Sequence, residues 1–245
     1  MEMKSGNPVL ARDAFRSLPR TAEPMTIGGT VNRTAMLLAL LLISAGWTWD
    51  QFWTTQEPAV VAPYMWGGII GGLVAALVTV FKKNWAPVTA PIYALLEGLA
   101  VGGISAVFEM RYPGIVIQAV GLTFGTMAAL LLAYRSGLIK VTDKFRMGIV
   151  AATGGIFLVY LADIILRLFG VSIPFIHESG MFGIGFSVVV VIIAALNLAL
   201  DFDLISQGAR AGAPRYMEWY GAFALMVTLI WLYLEMLRLL GKTRR

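Results

Sequence analysis

The sequence predicts an all-α polytopic membrane protein, a bundle of seven transmembrane helices. Of its 245 residues 58% are hydrophobic and 13% are charged, whereas a soluble domain has about 45–50% apolar and about 25% charged residues. The mean hydropathy is +0.78, and there are too few charges to cover a soluble globule. Seven apolar segments reach the ~20 residues that a helix needs to cross the hydrocarbon core. Soluble and disordered chains are excluded by this composition.

The seven segments are each bounded by charge, proline or both. They are residues 34–54, 60–81, 88–108, 114–134, 147–169, 180–200 and 218–240. Helices are expected because a spanning segment must satisfy its own backbone hydrogen bonds. The predicted organisation is a basic cytoplasmic tail (1–33), a membrane domain (34–241) and a short basic C-terminal tail (242–245).

Lys and Arg are distributed unevenly between the two sides of the predicted membrane domain. They are frequent in the N-terminal tail and in every second loop, whereas the other loops carry only Arg111, with Arg167 at the end of the fifth segment. Positive charge favours the cytoplasmic side, which predicts a cytoplasmic N-terminus. The basic C-terminus breaks this pattern, because seven spans would place it on the outer side. Either the last segment crosses fully and the more numerous charges elsewhere set the orientation, as we favour, or the last segment does not fully cross. The net charge of +5 is thus explained by topology; the predicted partner is the lipid bilayer, and nucleic acid is not required.

Several kinds of chemistry are excluded by residue type. There are no cysteines and a single histidine, His177 in an outer loop, which excludes disulfides, iron–sulfur clusters and multi-histidine metal sites. Neither a G-x-S-x-G elbow, nor H-E-x-x-H, nor a phosphate-binding loop occurs. We therefore expect neither an enzyme nor a bound cofactor.

Acidic residues within the apolar segments are the candidate functional groups, since an ionisable side chain there costs about 2.5–3.5 kcal/mol on insertion scales. Glu97 lies in the middle of the third segment, with no basic residue within helical reach. It must face a polar interior, bind a cation or hold a proton; the alternative is a structural hydrogen bond between helices. Asp201 and Asp203 close the sixth segment, and Asn197 shares a helix face with Asp201. This oxygen-rich patch suits a hard metal cation or a shared proton; the alternative is a solvated helix end.

Two further acids, Glu218 and Glu235, belong to the seventh segment. Glu235 stands three residues before Arg238, a spacing that allows a local ion pair on one helix face. In the fifth segment, Asp163 and Arg167 are four residues apart and form a similar candidate pair.

Glycines spaced four residues apart indicate close helix packing. Four pairs have the spacing that lets two helix backbones approach each other: Gly67/Gly71, Gly68/Gly72, Gly98/Gly102 and Gly121/Gly125.

The sequence resembles the transmembrane Bax inhibitor motif family, in its bacterial branch, over about residues 34–241. The resemblance is carried by the seven spans and by four stretches: YALLEGL at 93–99, AVGLTFG at 119–125, LDFDLI at 200–205 and WLYLEMLRLLG at 231–241.

The resemblance implies a helical bundle with the last helix near its centre, located in a bacterial inner membrane, and a pH-sensitive calcium leak. In the family, an aspartate closing the sixth span pairs with an aspartate in the seventh, and a basic residue after the second span can latch them. Asp201 matches the first position, and Lys82 is the candidate latch. Alignment on Arg238 puts Thr228 at the second acidic position, with Glu218 or Glu235 as possible substitutes at opposite ends of the helix.

Two hypotheses of function follow. The first is a pH-sensitive leak channel for cations, calcium or protons, in which Asp201, Asp203, Glu97, Glu218 and Glu235 form the ion pathway or pH sensor. The second is a non-transporting interaction protein that regulates a membrane protease or a stress response through its basic tail.

Overall fold

The computed structural model describes residues 23–170 and 180–244. Within these residues the chain forms seven long helices and no strand, with one short 3₁₀ turn at Lys83–Trp85. The helices are α1 Ile27–Thr55, α2 Pro58–Phe81, α3 Ala86–Arg111, α4 Ile115–Arg135, α5 Asp143–Leu168, α6 Met181–Arg210 and α7 Met217–Thr243. All seven are long and apolar enough to cross a membrane. The predicted all-α membrane protein with seven spans is thus confirmed.

Several helices extend beyond the predicted segments, among them α1, α6 and α7. α1 begins at Ile27, inside the predicted tail, because the Thr26 side chain accepts a hydrogen bond from the Gly29 N–H and caps the helix. α6 continues to Arg210, through a stretch predicted to be a loop from residue 201. α7 continues to Thr243, so Lys242 belongs to the helix and not to a tail. Hydropathy predicts each of these helices too short at that end, because the additional turns contain polar residues.

The chain divides into two compact units. The first comprises the described part of Ala14–Val116 together with Ile205–Val227, and contains α1, α2 and α3. The second comprises the described parts of Ile117–Leu204 and Thr228–Arg245, and contains most of α4, α5, α6 and the second half of α7.

In the first unit, α3 packs closely against both α1 and α2 through glycines. A Cβ atom added at Gly98 or Gly102 would overlap backbone carbonyl oxygens of α1, and one at Gly68 would overlap the carbonyl oxygen of Leu96. Only glycine leaves room for such contacts between backbones. The predicted packing role is confirmed at these three positions. It is wrong at Gly67, Gly121 and Gly125, where an added Cβ atom would meet nothing within 4 Å.

The helices differ in how much of their surface the protein covers. In the most apolar stretch of α7, 67% of the residues are buried, against 17% in α4 and in α5. The exposed side chains of α5 include Phe157, Leu158 and Ile164, which is the composition expected of a surface in contact with lipid. α7 is thus the most extensively buried of the seven helices.

Candidate functional site

Asp201 is a fully buried acid in the second unit. Its relative exposure is 0%, and the hydroxyl of Thr228 donates a hydrogen bond of 2.6 Å to its Oδ2 atom. The contact joins α6 to α7 over 27 residues of sequence. Thr228 therefore stands beside Asp201 at the position that the family resemblance assigns to a second acid.

Asn197 lies one turn before Asp201 on α6 and is also buried. Its amide nitrogen donates to the Thr153 hydroxyl and to the Ile193 carbonyl, each at 2.9 Å. The Oδ1 atom is buried and accepts no hydrogen bond from the described residues. The α6 face that carries Asp201 is thus polar over two successive turns.

Asp203 is engaged by different partners. The Arg146 guanidinium donates a 2.6 Å hydrogen bond to its Oδ2 atom, and the Tyr134 hydroxyl donates one of 3.1 Å to Oδ1. Two residues that are two apart on a helix do not face each other, so Asp201 and Asp203 are directed to separate contacts. A joint calcium site of these two acids stays a prediction, and the part of the chain that the structure describes contains no group of three or more acidic or histidine side chains arranged to hold a metal ion.

The expected pair between Glu235 and Arg238 is present, and it includes a third residue. An Arg238 Nη1–Oε1 contact of 2.6 Å links the two side chains, and Arg238 also donates to the Tyr160 hydroxyl at 2.6 Å. That hydroxyl in turn donates to Glu235 Oε1 at 3.0 Å. The role of Tyr160, which comes from α5, could not be read from sequence spacing. The local pair between Asp163 and Arg167 is also present, at 3.1 Å.

Lys242 is a buried lysine near the end of α7. Its ammonium group donates to the Gly183 carbonyl at 2.9 Å and to the Ser187 hydroxyl at 2.8 Å. Both acceptors lie in the first turns of α6, so this lysine joins the two helices. Its burial could not be foreseen, because Lys242 is the first residue of the basic tail predicted to follow the last apolar segment.

Glu218, in the first unit, holds the beginning of α1. Its Oε1 atom accepts hydrogen bonds from the Thr26 N–H and from the Thr26 hydroxyl, each 2.9 Å long, and Arg33 lies 3.8 Å from Oε2. The Arg33 guanidinium also stacks over the Trp219 ring, at 5.0 Å from its centroid. Glu218 is thus tied to α1 by three polar contacts.

Glu97 lies in the middle of α3, also in the first unit. It forms no hydrogen bond or ion pair with any described residue. Its carboxylate faces Gly72 of α2: a Cβ atom added there would lie 2.7 Å from Oε2. The sequence expectation that no basic residue neutralises Glu97 agrees with this geometry.

The two remaining candidates are less informative. Lys82 caps the end of α2 with its backbone N–H and its side chain is exposed, so its role as a latch stays a prediction. His177 lies outside the described residues.

Comparison with protein families agrees with the resemblance found from the sequence. Residues 7–245 match the family model described as Bax inhibitor 1 like. Comparisons with curated proteins and with solved structures gave no significant match. Because the family model covers nearly the whole chain and the described residues form seven helices long and apolar enough to cross a membrane, the chain belongs to the Bax inhibitor 1 like family.

Proposed function

We propose that this membrane protein provides a pH-sensitive leak for cations, with calcium as the transported ion and Asp201 as the controlling acid. The observation that carries the proposal is the complete burial of the Asp201 carboxyl group within a helix that is long and apolar enough to span the membrane. A buried ion costs several kcal/mol unless it is compensated. Proton or cation binding at Asp201 is therefore coupled to the packing of α6 and α7.

The contact with Thr228 supports a sensor with one acid in place of two. Where two carboxyl groups lie side by side, they cannot both ionise cheaply and they titrate as a coupled pair. The Thr228 hydroxyl donates a hydrogen bond to Asp201 and adds no charge. We expect one proton to change the state of this site, and the pH response to be correspondingly shallow.

The polar surroundings of Asp201 support a cation as the transported species. Carboxylate, amide and hydroxyl oxygens are the ligands that calcium prefers, and Asn197 presents a buried amide oxygen without a hydrogen-bond partner among the described residues one turn away on the same helix. A cation passing this face would replace part of its hydration shell with these oxygens.

The test is calcium flux into proteoliposomes as a function of pH. We expect the wild type to conduct with a pH dependence that Asp201→Asn abolishes and that Thr228→Asp makes steeper, because a second acid then titrates with the first. Asp50→Asn is the matched control, since Asp50 is an exposed acid near the end of α1. Its pH profile should match that of the wild type.

Two results would contradict the proposal. One is the absence of calcium flux in the wild type, and the other is an unchanged pH profile in Asp201→Asn. Either result would favour the alternative of a non-transporting regulator. The direct assay for that alternative is a pull-down with and without the N-terminal tail, in which a membrane partner should be lost when the tail is deleted.

A further inference from the structure

Glu97 lies on the face of α3 that packs against other helices, not on the face turned to lipid. The lipid-facing stripe of α3 is formed by Val88, Ile92 and Leu95, which are 64%, 47% and 40% exposed. A helix turns by 100° per residue, which places Glu97 about 180° from Val88. Its neighbours one turn away on either side, Tyr93 and Val101, are 6% and 7% exposed.

The carboxylate occupies a space left by a missing side chain. Gly72 is buried in the contact between α2 and α3, and a methyl group there would lie 2.7 Å from Glu97 Oε2, closer than any normal carbon contact. The adjacent Gly71 faces the side chain of Leu96 instead, at 3.2 Å. The fit is therefore specific to one of two neighbouring glycines.

No positive charge among the described residues stabilises an ionised Glu97. α2 carries no acidic, basic or histidine residue, and the charged residues of α1, Arg33 and Asp50, lie towards its two ends. Within α3 the nearest titratable group on the same face is the phenol of Tyr93. An ionised carboxylate without a partner in this position would cost several kcal/mol, so the group requires a ligand.

The ligand that fits is a proton. A calcium ion takes six to eight oxygen ligands, whereas Glu97 has no hydrogen-bond partner among the described residues and belongs to no described cluster of three or more acidic or histidine side chains. A lone carboxyl group needs only one proton to become neutral. Glu97 is also only partly buried, on the side of α3 opposite Val88, Ile92 and Leu95, and we infer that this exposed part is where the proton exchanges with water.

We propose that Glu97 is a proton-binding site within the membrane domain, neutral at physiological pH and in exchange with water through the packed side of α3. The proposal goes beyond the cation leak and does not depend on it. Its test reads the carboxyl group itself, so either proposal can fail while the other stands.

The experiment is infrared difference spectroscopy of the full-length protein in lipid nanodiscs at neutral pH. Subtracting the spectrum of Glu97→Gln from that of the wild type isolates this carboxyl group, since Asp201 and all other acids cancel. We expect the carbonyl band of a protonated carboxylic acid, and a shift of that band to lower frequency after transfer to D₂O. In Glu97→Asp the band should move but remain, which serves as the second variant if the glutamine variant fails to fold.

Matched alanine variants test the environment. Gly72→Ala should shift the acid band because the new methyl group displaces the carboxyl group, whereas Gly71→Ala should leave it unchanged. The proposal is overturned if carboxylate bands replace the acid band at neutral pH, if the band does not respond to D₂O, or if the two glycine variants give the same spectrum.

Discussion

The carboxylate of Glu218 and the missing side chain of Gly29 form a pair whose energetic coupling can be predicted. A Cβ atom added at Gly29 would overlap the Glu218 carboxyl group, whereas one added at Gly28 would meet nothing within 4 Å. Both glycines lie in the first turn of α1, where alanine is otherwise favoured by up to ~1 kcal/mol. The two positions are therefore matched for helix propensity and differ in the Glu218 contact.

The expected cost of removing the Glu218 carboxylate follows from its hydrogen bonds and its ion pair. It accepts two hydrogen bonds from Thr26, and a bond to a charged group contributes about 1.5–3 kcal/mol. The Arg33 contact is long, at 3.8 Å, and partly exposed, so it adds at most about 1 kcal/mol. Because these contacts are only partly buried, we take the lower end and expect Glu218→Ala to cost about 3 kcal/mol.

Gly29→Ala should cost about 2 kcal/mol in the wild type. The added methyl group forces the Glu218 carboxylate to leave, at a cost of about 3 kcal/mol, which the gain in helix propensity of about 1 kcal/mol partly offsets. In the Glu218→Ala background the carboxylate is already gone, so the same substitution should stabilise the protein by up to about 1 kcal/mol. Gly28→Ala should have the same small effect in both backgrounds.

The assay is reversible unfolding in mixed micelles by titration with dodecyl sulfate, followed by tryptophan fluorescence. Trp219, on which Arg33 stacks, reports the local change. The coupling energy between the two sites should be about 3 kcal/mol, obtained from the double-mutant cycle. An equal cost of Gly29→Ala in both backgrounds would refute the reasoning.

Three further outcomes are expected in the same unfolding titration. Gly68→Ala should destabilise the protein by about 1–3 kcal/mol because its methyl group overlaps a backbone carbonyl of α3. Gly67→Ala, whose methyl group meets nothing within 4 Å, should change the stability by no more than about 0.5 kcal/mol. Similar changes for both variants would contradict the packing. Arg146→Met should cost about 3–5 kcal/mol by leaving the Asp203 carboxylate without its counter-charge. Adding Asp203→Asn should recover part of this loss. If the costs of the two substitutions simply add in the double mutant, this expectation is wrong. Lys242→Met should cost about 1–3 kcal/mol through its two lost hydrogen bonds, and a neutral effect would show that they do not stabilise the fold.

Local spacing predicted those contacts that form within one helix. The pair of Glu235 with Arg238 and that of Asp163 with Arg167 follow from the helical repeat, and both are present. The seven spans follow from the length of apolar runs, because a membrane requires about 20 such residues in a row. Helix ends are harder to predict from the sequence. The first turn of α1, which begins at Ile27, contains two glycines, and its hydropathy does not distinguish it from a tail.

Contacts between distant segments could not be predicted in the same way. Tyr160 binds both members of the Glu235–Arg238 pair, yet nothing in its own segment indicates a partner. Asp201 and Asp203 are close in sequence, yet the turn of the helix directs Asp201 to Thr228 and Asp203 to Arg146. Only the alignment to a known family placed Thr228 opposite Asp201.

The attachment of Glu218 to Thr26 has a consequence for how the chain is made. These residues are 192 positions apart, so the ribosome must complete six membrane helices before the acceptor for the Thr26 N–H exists. During translation the first turn of α1 therefore lacks this partner until α7 is made. Any product that ends before Glu218 lacks the contacts between Thr26 and Glu218 altogether. Among the described helices, the beginning of α1 thus gains its polar contacts with Glu218 only when α7 is made.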